Sequence, residues 1–262
     1  MDLQLQDRVV VIAGATGMLG AAAAHAFAAE GARLVLLGRS EDKLQTLQAA
    51  LMTGGATAVH SQLIDLASAS ATDAAIAAVL GLHQRIDVLV AAAGAAQGGV
   101  FWEIDDAEWQ RSLDLKLHGT VRLLRAALPS MIAARGGRIV IVAGNAGRQP
   151  EPRMLPGAAA NAALLAIVRG LAEEIGPHGV AINAINPGPV RSARWDNMMQ
   201  AAARRDGITP AEAQIAFLAK AALRRIATPE EIAAHIAFLG SPRAAHLTGS
   251  AVTVDGGSTK TI

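Results

Sequence analysis

A chain of 262 residues with 52% hydrophobic content can bury one large core, and a single domain spanning 1–262 is expected. A formal net charge of +1 excludes a strong field for nucleic acid or anionic membranes, and the absence of cysteine excludes disulfides, thiolate nucleophiles and cysteine-ligated metals. The polar start at 1–7 has neither the basic stretch nor the cleavage site of a signal peptide. No apolar run approaches the roughly 20 residues of a spanning helix without meeting charge, glycine or proline, so a cytoplasmic protein without membrane contacts is expected.

Short β-branched or leucine-rich runs at 8–13, 33–37, 58–64, 87–93, 138–143, 180–185 and 251–254 suit strands buried on both faces. Alanine-rich segments at 18–30, 41–51, 68–80, 105–134, 157–175 and 229–239 separate them and read as helices. This alternation predicts a doubly wound α/β domain with a parallel, Rossmann-type sheet. Residues 188–225 form the one long stretch between late strands that is not itself a strand. Its Trp195, Met198, Met199, Ile208, Ile215, Phe217 and Leu218 are interleaved with arginines. A lid over a pocket has this composition, and so does a surface helix pair with a solvated face.

The first strand ends in Gly14-Ala15-Thr16-Gly17-Met18-Leu19-Gly20 and runs directly into a helix. Glycines there permit a tight turn and close backbone approach, while the free N–H groups and positive dipole end of the helix suit a diphosphate. The spacing is a weak signal by itself; its position in the first βαβ unit gives it weight over a plain strand-to-helix turn. The second strand ends in Leu37-Gly38-Arg39-Ser40, where a carboxylate for the ribose hydroxyls of NAD is missing. Arg39 can pair with a 2′-phosphate, which favours NADP over NAD; the plainer reading is a solvated loop arginine.

The succession of the glycine turn, Asp65-Leu66, the run Ile86 to Gly94, Asn186-Pro187-Gly188 and Asp255-Gly256-Gly257 resembles the short-chain dehydrogenase/reductase family over essentially the whole chain. That resemblance implies adenine contacts at Asp65 and Leu66, a ribose border at Gly94 with Ala92 beside it, and carboxamide contacts at Pro187, Gly188, Val190 and Ser192. It also implies a small-molecule substrate and a homo-oligomer, a dimer or tetramer, formed through 105–134, 157–175 and the tail 248–262. The chain departs from the pattern even in this half. Met18 replaces the second motif glycine, with Gly17 displaced by one as in extended and atypical members, and Ala91-Ala92 replace an asparagine pair.

The larger departure concerns proton transfer. The family's Asn, Ser, Tyr and Lys fall, by the same resemblance, on Lys116, on Gly144 (or Ala143 if the register slips), on Gly157 and on Asn161. The chain has no tyrosine at all. Lys116 and Asn161 read as an exchange of the two end members, with Lys116 a candidate to reach the space that Gly157 leaves. A ribose-binding or solvent-facing lysine is the plainer alternative. Asn145 is a candidate to orient a carbonyl oxygen, His118 a weaker one for proton transfer, and the proline-rich 147–156 a stiff loop at the pocket mouth whose Arg148 and Arg153 face either an anionic substrate or Glu151. The expected function is an atypical NADP-dependent oxidoreductase acting on a small carbonyl or alcohol, with no metal. The alternative is a catalytically silent NADP-binding protein, a sensor or the supporting subunit of an oligomer.

Overall fold

The computed structural model describes residues 1–94 and 98–260. Seven strands form one parallel sheet: β1 (Val9–Ala13), β2 (Arg33–Gly38), β3 (Ala58–Leu63), β4 (Val88–Ala91), β5 (Gly137–Val142), β6 (Val180–Pro187) and β7 (Ala251–Val254), in the order β3-β2-β1-β4-β5-β6-β7. The doubly wound α/β architecture expected from the alternation is the one observed.

Sequence patterning explains the two layers. In β1, every residue of Val9–Ala13 is buried, yet alternate side chains serve different cores. Val9 and Val11 join Leu89, Ile139 and Ile182 on one face, whereas Val10 and Ile12 join Val88, Val90 and Val140 on the other. The first face is covered by α3 (Ala69–His83), by α5 (Gly119–Ala133) and by α6 (Leu155–Ile175); the second by α1 (Met18–Ala29), α2 (Glu41–Thr53) and α9 (Pro229–Leu239). Burial on both sides is why the strands read as continuous apolar runs rather than alternating ones. The helix α6, continued by a turn to 178, is long and apolar enough to cross a membrane by length and composition. In this fold its Leu164, Val168, Ala172 and Ile175 instead fill a core.

Sequence order reverses between β1 and β4, so crossovers leave in opposite directions and a crevice opens at the carboxyl ends of these strands. The turn after β1 closes it tightly. Gly14 has a φ of +79°, and a Cβ there would lie 2.6 Å from the Ala93 nitrogen. A Cβ on Gly20 would lie 2.2 Å from the Gly14 carbonyl oxygen. Both glycines are therefore required by close backbone approach.

The single helix expected over 105–134 is corrected to three pieces: α4 (Asp106–Leu113), a π-helical turn (Asp114–His118) and α5. Two contacts account for the wider turn. Gly119 packs against Leu66, where a Cβ would meet the Leu66 Cβ at 2.9 Å, and the Thr120 hydroxyl donates to the Lys116 carbonyl at 2.7 Å. Lys116 thus sits on the irregular turn. Other boundaries shift by a few residues, two of them at the cleft. β4 ends at Ala91, short of the expected 93, and α6 begins at Leu155 with Pro156 in its first turn, where the missing N–H costs nothing.

Residues 188–225 contain two helices, α7 (Ala193–Asp206) and α8 (Pro210–Leu218). Ser192 caps α7 by accepting from the Trp195 N–H at 3.1 Å, and Thr209 caps α8 in a reciprocal box with Glu212. The pair carries its own apolar cluster of Trp195, Met199, Ala203, Ala213 and Leu218, with Trp195 and Phe217 edge to face at 5.2 Å.

Candidate active site

A cleft of about 310 Å³ opens over the carboxyl ends of the strands. Its floor is Met18 and Leu19 from α1, Gly94 after β4, and Val142 to Ala146 after β5. One wall is Gly157 and Asn161 on α6, and the outer wall is Trp195, Met198 and Phe217 from α7 and α8. The structure therefore brings together Met18, Leu19, Gly94, Lys116, Asn145, Asn161, Pro187, Gly188, Val190 and Ser192 from the residues expected in the sequence.

Gly17 caps α1 without a side-chain hydrogen bond, and no acidic residue occupies the first turn. The Gly17 N–H is taken by the Gly14 carbonyl at 3.0 Å, but the opening N–H groups of α1, at Met18 and Leu19, have no intrahelical acceptor, and both residues line the cleft at the positive end of the helix dipole. This is a backbone cradle suited to a diphosphate. Met18 lies at its rim, 37% exposed, so it borders the cradle without plugging it.

Arg39 is exposed just past β2 and has no ion-pair or hydrogen-bond partner among the described residues. Thr16 lies beside this strand end, since a Cβ on Gly38 would stand 3.5 Å from the Thr16 methyl. Ser40 sits at the N-terminus of α2 without making a side-chain cap bond. The Asp65 carboxylate is exposed and holds the Ala67 N–H at 3.0 Å, whereas the Leu66 side chain turns into a core and its carbonyl receives Arg122 at 2.8 Å. Asp65 is therefore the member of that pair open to a ligand. Ala92 is half-buried behind Gly94, and its N–H donates to the Ala13 carbonyl at 2.9 Å. Ser192 has its hydroxyl engaged in capping α7, and Val190 is buried in a lone bridge to Ala227.

The other half of the cleft is built from side chains. Lys116 extends its stem over Gly94, where a Cβ would come within 2.9 Å of the lysine Cγ, and its Nζ donates to the Ala143 carbonyl at 3.0 Å. Burial of the ammonium, and secondarily the positive charge of Arg194 in the same cleft, lower its pKa from 10.5 to about 8. Asn161 is buried on α6 and pressed between two glycines: a Cβ on Gly144 would lie 2.9 Å from its Nδ2, and one on Gly147 2.9 Å from its Cβ. Its Oδ1 is buried without a hydrogen-bond partner, as is Nδ2 of neighbouring Asn186. Asn161 lines the cleft, and its buried Oδ1 lacks a donor among the described residues. The residues present accordingly fit a dinucleotide, with amides for the diphosphate and an acceptor for a hydroxyl.

Asn145 reaches Ser258 at 3.4 Å, and Ser258 in turn donates to Asp255 at 3.0 Å. Burial pushes the Asp255 carboxyl upward, but hydrogen bonds from Thr259, Ser258 and Gly257 outweigh it and hold the pKa below the ordinary value. His118 is exposed, and Arg153 is exposed with no ion pair to Glu151 among the described residues. Three contributors escaped the sequence reading. Asn186 accepts from the Gly144 N–H at 3.4 Å, Ser258 braces Asn145, and Gln149 ties the loop to the tail by accepting from the Lys260 N–H at 2.8 Å. The signal for Asn186 lay in the Asn186-Pro187-Gly188 motif; the two bridges to the tail join residues more than 100 positions apart and left none.

Fold and cleft together define a dinucleotide-binding α/β protein of the oxidoreductase type. A family model described as Enoyl-(Acyl carrier protein) reductase matches residues 14–259. The short-chain reductase protein NovJ of Streptomyces niveus is 37% identical over 258 residues, covering 96% of this chain and 94% of that protein. Among solved structures, the L-sorbose reductase of Gluconobacter frateurii, complexed with NADPH and L-sorbose, aligns with a TM-score of 0.93 at 32% identity over 100% of both chains. A variant of actinorhodin polyketide ketoreductase with NADPH aligns at a TM-score of 0.92 and 28% identity, over 97% of this chain and 98% of that one. The chain belongs to the short-chain dehydrogenase/reductase family of oxidoreductases.

Proposed function

We propose that this protein is an NADP-dependent oxidoreductase that transfers hydride to or from a small carbonyl or alcohol, with Lys116 in place of a tyrosine as the proton-transfer group. The observation that carries the reading is the Lys116 ammonium, its pKa lowered to about 8, in one cleft with the unpartnered Asn161 Oδ1 and the open amides of α1. The NADPH of the two solved relatives supports the choice of cofactor, as does the unpaired Arg39 where a 2′-phosphate would lie.

NADPH, when bound, supplies the hydride. Met18 and Leu19 amides hold the diphosphate, with Gly14, Thr16, Gly17 and Gly20 shaping the turn and Arg39 and Ser40 at the phosphate end. Asp65 serves the adenine side, and Ala92, Gly94, Pro187, Gly188, Val190 and Ser192 shape the nicotinamide end. Asn161 Oδ1 accepts from a hydroxyl. Lys116, held by the Ala143 carbonyl, gives a proton to the developing alkoxide in the reducing direction and takes one in the oxidising direction. Asn145, braced by Ser258, orients the oxygen undergoing reaction. The α7 and α8 pair acts as a lid that excludes water.

Family likeness supports assembly through α5, α6 and the tail 248–262, of which Thr261 and Ile262 lie outside the described residues. Light scattering at micromolar concentration tests this, and a monomeric mass refutes it. The functional test follows NADPH absorbance across a panel of small ketones and aldehydes. Turnover that depends on Lys116 is expected; tight NADPH binding with no turnover on any carbonyl would leave a silent NADP-binding protein instead.

A further inference from the structure

A second cleft, of about 390 Å³, opens at the opposite, amino-terminal end of the sheet, below β1, β4 and β5. Arg8, Arg85, Arg135 and Arg138 line it, and Asp87 is its one carboxylate. The carboxylate is fully used. It is mostly buried, its Oδ2 accepts from the Val9 N–H at 2.9 Å, and its Oδ1 is shared by Arg8 at 3.3 Å and by Arg85. No carboxylate remains for the other two arginines. Arg138 places one Nη on the Gly137 carbonyl at 2.9 Å, while its Nε is buried with no partner. Arg135, at a φ of +51°, has no ion pair among the described residues.

Structural neutralisation does not account for this charge. The carboxyl ends of α5, of α9 and of the turn that continues α6 reach the cleft through Ala134, Gly240 and Gly179, and each contributes roughly half a negative charge. With Asp87, that offsets about two and a half of the four guanidinium charges and leaves about one and a half unbalanced. Burial, and then the like charge of Arg8, lower the pKa of Arg138, whose guanidinium is held partly out of water beside a second cation. A planar guanidinium suits paired hydrogen bonds to phosphoryl oxygens, and the volume falls within the range for small ligands.

We propose that this amino-terminal cleft is a binding site for a phosphoryl-bearing small anion, gripped by Arg138 and Arg135 with the Arg8–Asp87–Arg85 group fixing the back wall. It lies at the far end of the strands that carry the active-site cleft, and is a separate site.

Calorimetric titration of the NADPH-saturated protein, in which the diphosphate cradle of α1 is filled, with inorganic phosphate and with pyrophosphate at constant ionic strength tests the site. Saturable binding is expected, tighter for pyrophosphate. Arg138→Gln and Arg135→Gln should each weaken it at least tenfold, and Arg39→Gln, which alters only the cofactor edge, should leave it intact. Two positions guard against misfolding, since exposed Arg135 is free to change without disturbing β5, and circular dichroism melts verify each variant. Absence of binding to the unaltered protein overturns the proposal. So does a loss that follows Arg39→Gln and not the other two, or binding of polyglutamate with none of pyrophosphate.

Discussion

The two halves of the active-site cleft are built from different material. The proposed cofactor half, from Gly14 to Leu19, offers backbone amides, a helix dipole and glycines whose missing side chains make room. The proposed proton half, around Lys116, Asn145 and Asn161, consists of side-chain atoms whose ionisation and hydrogen bonding depend on their neighbours. A backbone cradle tolerates change in the residues flanking it as long as the glycine positions stay open, which is how Met18 sits at the rim. A side-chain constellation has no such tolerance, because one altered group changes what its partners can do. On the proposed reading, the cofactor half keeps the family's form while Lys116 takes over in the proton half.

The sharpest break of this contrast is Lys116→Ala. Turnover is expected to fall at least about 100-fold, the lower end of what a general acid contributes, with NADPH affinity unchanged in fluorescence titration. Undiminished turnover would move the proton source elsewhere. Acidity sharpens the same point. With the Lys116 pKa at about 8, the ammonium needed for reduction is lost above that pH, so the reductive rate should drop about tenfold per unit, while alcohol oxidation should rise through the same pH and level off. The folded pKa lies below the ordinary 10.5, so between the two the unfolded chain binds more protons and stability should increase with pH from about 8 to 10.5. Denaturant melts of Lys116→Met should lack that increase.

On the cofactor side, Gly20→Ala forces a Cβ into the space 2.2 Å from the Gly14 oxygen. It should destabilise the fold by about 2 kcal/mol and weaken NADPH by more than tenfold, measured by thermal melts and titration. Smaller still, Arg39→Gln should weaken NADPH about tenfold, the order of one charge-assisted hydrogen bond, and leave NADH unaffected. Equal losses for both nucleotides would remove Arg39 from the 2′-phosphate. The least effect is expected from Ser192→Ala, which removes the cap of α7 at about 1 kcal/mol of local stability; hydrogen exchange should detect it in α7 alone.

Much of the fold was legible because buried parallel strands are short apolar runs that glycine turns and alanine-rich helices interrupt, as in Val9–Ala13 followed by Met18–Ala29. The break within 105–134 was not legible. Its causes are the fit of Gly119 against Leu66, more than 50 positions earlier, and the back-bond from Thr120, neither of which interrupts the helical pattern. In the site, Lys116 and Asn161 could be singled out as chemical types. That the lysine is anchored on Ala143 and the asparagine acceptor left unpartnered could not, since the first joins the 114–118 turn to the end of β5 and the second follows from how α6 seats on the Gly144–Gly147 turn.

By itself the sequence determined the alternation of strand and helix, the glycine spacing that leaves amides open for a diphosphate, and the absence of any tyrosine to move a proton. These are local properties, carried by periodicity and by which atoms each residue owns. Only the tertiary structure decided that Lys116 is depressed in pKa, that Ser192 is committed to a helix cap, and that four arginines line one cleft below the sheet with a single carboxylate. Desolvation and charge crowding arise from neighbours distant in the chain, and folding alone brings them together.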